Sequence, residues 1–114
     1  MRLGGHDVSI IKPSKAHDLY RRRTIRGRHR HRFELNQEYL GLFEEKGLHF
    51  SAFSDNGRRA EILEIGEHPY YMATQYHPEY SSTPERPEPI FVAFLRACLQ
   101  RLDEKSAEPV RVSA

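Results

Sequence analysis

The most restrictive stretch in this chain is Asn56-Gly57, which sits between LHFSAFS (48–54) and AEILEI (60–65), two segments of mixed strand-like alternation. A two-residue hairpin turn needs positive φ at its central residues, and Asn-Gly supplies this with the least steric cost. SDNGRR therefore predicts an antiparallel strand pair, and the rest of the chain must be arranged around it.

The neighbouring segments read as alternating elements. DVSII (7–11) predicts a short strand, and Pro13-Ser14 opens a brief helix through Leu19. Arg28 to Leu35 alternates as an extended segment, with Arg28, Arg30, Arg32 and Glu34 on one side and His29, His31, Phe33 and Leu35 on the other. Asn36 is placed to cap a helix carrying Tyr39, Leu40 and Phe43, which Gly47 stops. Tyr70 to Tyr76 predicts a further strand that runs into His77-Pro78. STPERPEP (82–89) holds three prolines and must be a loop. Ile90 to Leu102 is an amphipathic helix, and EKSAEPVRVSA (104–114) reads as a frayed tail after a single domain spanning 1–103. Alternating strands and helices give an α/β or α+β class.

At 114 residues the chain is long enough for one core, burying roughly two-thirds of its unfolded surface. An apolar fraction of 38% makes that core thin. No apolar run is long enough to cross a membrane, and the N-terminus lacks a signal-peptide pattern. The single cysteine, Cys98, excludes an internal disulfide and fits a reducing, cytoplasmic setting. Charge is unevenly spread. Residues 1–36 carry ten Lys/Arg against three Asp/Glu, whereas residues 37–114 carry eight against thirteen. Such a basic half fits an anionic ligand or partner, or simply a solvated face.

Three constellations bear on chemistry. In QYHPEY (75–80) the proline holds His77 extended, and residues two apart in an extended chain share a side. Glu79 can then fix the His77 tautomer, as the acid of a nucleophile–histidine–acid triad does. A surface histidine at a strand-to-loop turn is the alternative reading. RHRHR (28–32) offers two histidines without a third ligand at metal spacing, so they are expected to pack beneath arginines suited to a carboxylate or phosphate. Too few aromatics interleave with these arginines for a nucleic-acid surface. Cys98 lies in FVAFLRACLQ on the helix stripe, without an elbow, and is expected to be a core thiol.

Taken together, MRLGG, GRHRHRFELN, GLHFSAFSDNGRRAEILEI and HPYYMATQYHPEYSSTPERPEPIFVAFLRA resemble the C-terminal half of the glutaminase domain of the CTP synthase family, from Met1 to about Leu99. The resemblance implies a partial flavodoxin-like α/β sheet of the class I (triad-type) glutamine amidotransferases, with flanking helices. It implies that His77 is the catalytic base, Glu79 its orienting acid, and Arg32 the residue binding substrate glutamine. It also implies that Tyr80, Arg28 and Arg30 shape the surrounding pocket. Family members hydrolyse glutamine and pass ammonia to a synthetase domain that uses ATP and Mg to convert UTP to CTP. No cofactor or metal is expected in this chain itself. The family's nucleophilic cysteine lies on a G-x-C-x-G-x-Q elbow before MRLG, so the chain is expected to be a fragment, inactive alone. Its expected partners are a missing N-terminal half or a synthase subunit. The alternatives are a non-catalytic remnant that binds a synthase and a small basic nucleic-acid-binding protein.

Overall fold

The computed structural model describes residues 2–107. Five strands form one sheet: β1 (Arg2–Ile10), β2 (Thr24–His31), β3 (His49–Ser54), β4 (Arg59–Glu64) and β5 (Met72–Thr74). Their order is β2-β1-β3-β4-β5, and every pairing is antiparallel. Three helices accompany them: α1 (Lys15–Tyr20), α2 (Leu40–Glu45) and α3 (Pro89–Ala107). The class is thus α/β, with antiparallel ladders throughout this portion.

The hairpin forms as its turn residues require. Asp55, Asn56 and Gly57 all adopt positive φ (51°, 56° and 84°), and Arg58 N donates to Asp55 O at 3.1 Å. A register shift around Ser51 bulges β3, and this frees the Ser51 carbonyl to accept from Ile11 N at 2.8 Å.

β1 begins five residues earlier than DVSII indicates. Arg-Leu-Gly-Gly-His has no strand pattern of its own, and its pairing with β2, from Arg2↔His31 to Ser9↔Thr24, holds it extended. β2 in turn stops at His31, so the alternation expected through Leu35 breaks. β1 starts at Arg2 opposite His31, so beyond His31 the described residues offer β2 no partner, and Phe33 is 81% exposed.

Ser14 caps α1 by accepting from His17 N at 3.0 Å. The buried Glu64 carboxylate takes two more of the helix's free amides, Lys15 N at 3.0 Å and Ala16 N at 3.1 Å. This explains how a short helix is held against the sheet and why a charged residue at the end of β4 is buried. Asn36 Oδ1 accepts from Glu38 N at 3.0 Å and so caps the single 3₁₀ turn that leads into α2.

The core is small. Val8, Ile10, Ala16, Ala52, Ile62 and Tyr76 form it, with Tyr20, Ile25 and Met72 packed alongside. α3 contributes Ile90, and Tyr70 donates to the Ile90 carbonyl at 2.6 Å. The remaining apolar stripe of α3 faces solvent: Phe94 is 52% exposed, Leu95 61%, Leu99 62% and Leu102 60%. Cys98 is exposed with them, which corrects the expectation of a core thiol. The helix period identifies an apolar face but not what covers it. α3 also runs through Ala107, four residues into the stretch read as tail. Lys, Ser, Ala and Glu there tolerate a helix, and Arg101 pairs with Glu104 at 3.8 Å. Residues 108–114 lie outside the described residues.

Candidate active site

β5 delivers the chain to Gln75 and Tyr76, and Tyr76 is the pivot. Its ring is buried and lies over Gly27 of β2, where a Cβ would meet the ring carbons at 2.8 Å. Only glycine permits so close an approach. The Tyr76 hydroxyl lies 2.7 Å from that of Tyr20, and Tyr20 donates to Glu88 at 2.9 Å. Burial pushes both phenols well above their ordinary range and also raises the Glu88 carboxyl, so the three stay neutral more readily than in water.

The next residue is thereby fixed. His77 N donates to Arg28 O at 2.8 Å, which ties the segment to β2. Pro78 keeps His77 extended (φ −102°, ψ 92°) and opens a 3₁₀ turn, Pro78–Tyr80. His77 Nδ1 lies 3.3 Å from each oxygen of Glu79. The two side chains meet as expected, but a tight turn brings them together rather than an extended chain. An ionised carboxylate only accepts, so Nδ1 carries the proton and Nε2 keeps its lone pair. Among the described residues Nε2 has no hydrogen-bond partner.

Tyr80 closes this corner. Its ring stacks on His77 with centroids 5.1 Å apart and planes 16° from parallel. Its hydroxyl accepts from Arg30 Nη1 at 3.1 Å. Leu3, Gly4, Arg28, His29, Arg30 and Tyr80 line a cleft of about 500 Å³ beside the pair. Arg28 and Arg30 lie on the exposed side of β2, as the alternation indicates. Arg32 lies just past the end of β2, exposed, and among the described residues it forms no hydrogen bond or ion pair. The structure therefore joins His77, Glu79, Tyr80 and Arg30 in one contact chain and leaves Arg32 at its margin.

Sequence reasoning missed a second polar cluster. Glu61, fully buried on β4, receives Arg2 Nη2 in a short ion pair, Ser54 Oγ at 2.9 Å and His29 Nε2 at 2.6 Å. Arg2 also donates to Ser54 at 2.8 Å and reaches Glu34 at 3.2 Å. Burial holds His29 below its ordinary pKa against the pull of Glu61, and Arg2 already neutralises that carboxylate. His29 packs beneath the arginines as expected, whereas a carboxylate inside AEILEI was the available but ambiguous signal for the rest. Among the described residues no three His, Cys, Asp or Glu side chains gather at metal-binding geometry.

Comparison with known proteins places the chain in a family. The family model for class I glutamine amidotransferases matches residues 2–97. The chain belongs to that family. It is 53% identical over 100 residues to the CTP synthase of Archaeoglobus fulgidus, covering 88% of this chain and 19% of that protein. With the CTP synthase of a Synechococcus species it shares 44% identity over 110 residues, covering 96% of this chain and 20% of that one. Its fold matches the glutaminase domain of Trypanosoma brucei CTPS, solved with bound acivicin, at a TM-score of 0.83 and 36% identity, covering 88% of this chain and 40% of that one. The chain thus spans about a fifth of the length of these CTP synthases. Among the described residues no helix is long and apolar enough to cross a membrane.

Proposed function

We propose that this chain supplies the histidine–carboxylate pair and the substrate arginine of a glutamine-hydrolysing site whose nucleophile lies on a segment outside these 114 residues. The observation that carries this reading is the His77–Glu79 contact at 3.3 Å, with Nε2 unpaired. In that role His77 Nε2 takes the proton of a cysteine thiol, the thiolate attacks the amide carbon of glutamine, and the C–N bond breaks as Nε2 passes that proton to the departing nitrogen, leaving a thioester. Water then cleaves the thioester with His77 as base, releasing glutamate. Glu79 holds the imidazole and stabilises its charged form. Arg32 binds the carboxylate end of glutamine, for which a free guanidinium is suited. In a CTP synthase the ammonia would go on to an ATP- and Mg-dependent amination of UTP, and neither cofactor belongs to this part.

Alone, the chain is expected to be inactive. His77 contacts Glu79 and Tyr80, while Cys98 sits on the exposed face of α3. The test is glutamine hydrolysis by the purified chain, alone and mixed with the preceding part of a CTP synthase glutaminase domain. No ammonia alone, and release on mixing that His77→Ala abolishes, is the expected result. Turnover by the chain alone that depends on His77 would remove the need for a partner. Turnover in the mixture that survives His77→Ala would remove the assigned base.

A second reading has its own observation. The uncovered stripe Phe94, Leu95, Leu99 and Leu102 suits a chain that docks on a synthase without catalysing anything. Binding in the same mixture, with no turnover, favours it.

A further inference from the structure

A second cleft, of about 660 Å³, opens where the loop after α1, strand β2 and the loop before α3 meet. Its lining includes Arg22, Arg26 and Arg86, one arginine from each segment, together with Ser81, Tyr20 and Glu88. Arginines in one cleft repel one another, and a folded chain gathers three of them at a cost unless anions compensate. Little compensation is present. Arg26 reaches Asp7 at 3.1 Å across open solvent, an ion pair of small weight. Arg22 and Arg86 have no carboxylate within 4.0 Å among the described residues. The one acid in the lining, Glu88, accepts from the Tyr20 hydroxyl at 2.9 Å, and its backbone amide donates to Ser82 Oγ at 3.0 Å. Burial raises its carboxyl above the ordinary value.

We propose that this cleft is a binding site for a compact phosphate-bearing ligand, held by Arg22, Arg26 and Arg86 with the Ser81 hydroxyl as an additional donor. Guanidinium groups match phosphate oxygens in pairs, and three lining one cleft from separate segments suit a ligand with more than one anionic oxygen group. The concave shape favours a small polyanion over an extended strand, which would need a track of stacking aromatics. The site adjoins the candidate active site through the peptide link between Tyr80 and Ser81, but it uses none of the residues assigned to hydrolysis.

The test is equilibrium binding to the full chain, with inorganic pyrophosphate as the probe. Saturable, salt-sensitive binding at one site is expected, weakened about tenfold or more by Arg22→Ala or Arg86→Ala, as loss of a charge-assisted contact implies. Arg101→Ala on α3 removes the same charge elsewhere and should leave binding unchanged. Equal weakening by all three variants would reduce the effect to general charge and overturn the site. Phenylglyoxal modification read by peptide mass provides a test without substitution: pyrophosphate should protect Arg22 and Arg86 and leave Arg101 reactive. A nucleoside triphosphate that binds better than pyrophosphate would assign the ligand to nucleotides, and equal binding would assign it to free polyphosphates. A single-stranded oligonucleotide that binds more tightly than either would overturn the compact-ligand proposal. None of these readouts depends on glutamine hydrolysis, so the two proposals fail separately.

Discussion

Of the three histidine–glutamate pairs among the described residues, His29–Glu61 and His77–Glu79 differ in almost every physical respect. His29 and Glu61 are 2.6 Å apart, both side chains fully buried, with Arg2 and Ser54 completing the carboxylate's shell. His77 and Glu79 are 3.3 Å apart, the histidine about one-third exposed and the glutamate more than half. The tighter pair looks more deliberate, yet both partners are spent on interior contacts with each other, Arg2 and Ser54. The looser pair sits on a turn, beside a cleft, with one ring nitrogen uncommitted. Close geometry therefore marks the structural pair and accessibility marks the chemical one. A general base has to reach the proton it takes.

The contrast can be broken most directly at Glu61. Glu61→Ala leaves Arg2 and His29 in the interior without their shared carboxylate, and breaking a buried pair of this kind costs about 3–5 kcal/mol. Urea unfolding followed by circular dichroism should show a chain that is largely unfolded or close to it. A loss below about 1 kcal/mol would mean the cluster is solvated rather than buried.

Acid offers a gentler probe of the same cluster. Burial lowers the folded pKa of His29, so the unfolded chain takes up this proton first as pH falls. Stability is therefore complete above roughly pH 6.5, the ordinary histidine value, and declines below it, by at most about 1.4 kcal/mol per pH unit. Urea midpoints measured either side of that value should fall on acidification, and His29→Gln should flatten the decline. A midpoint that rises on acidification would show that His29 is instead charged by Glu61.

The smallest stability effect is expected at the exposed pair. Glu79→Gln should shift unfolding by no more than about 1 kcal/mol, the usual limit for a solvated ion pair. In the complemented glutaminase, however, the same change should lower the rate by about a hundredfold or more, because the imidazole loses its orienting acid. Equal effects of Glu79→Gln and Glu61→Gln on unfolding would erase the distinction between the two pairs.

What could be read from the residues follows the range of the forces involved. Asn56-Gly57, Pro13-Ser14 and Asn36 act within a few residues, so the hairpin, the start of α1 and the Asn36 cap were legible. Pro78 and the His77-x-Glu79 spacing were equally local. The first half of β1 was not legible, because Arg2 to His6 is extended only by its partner strand. Glu61 was hidden for a related reason. Three of its contacts come from positions 2, 29 and 54, and no spacing along the chain announces them. Arg32 falls between these cases: its charge and motif were plain, but the ladder that would have oriented it ends one residue earlier.

The uncovered face of α3 bears on how long this polypeptide lasts in a cell. Phe94, Leu95, Leu99 and Leu102 are the sort of surface that chaperones and proteases sample, and an uncovered apolar helix face seeds aggregation as concentration rises. Abundance should then follow the supply of whatever shields that helix, so that synthesis in excess of the shield is degraded rather than accumulated.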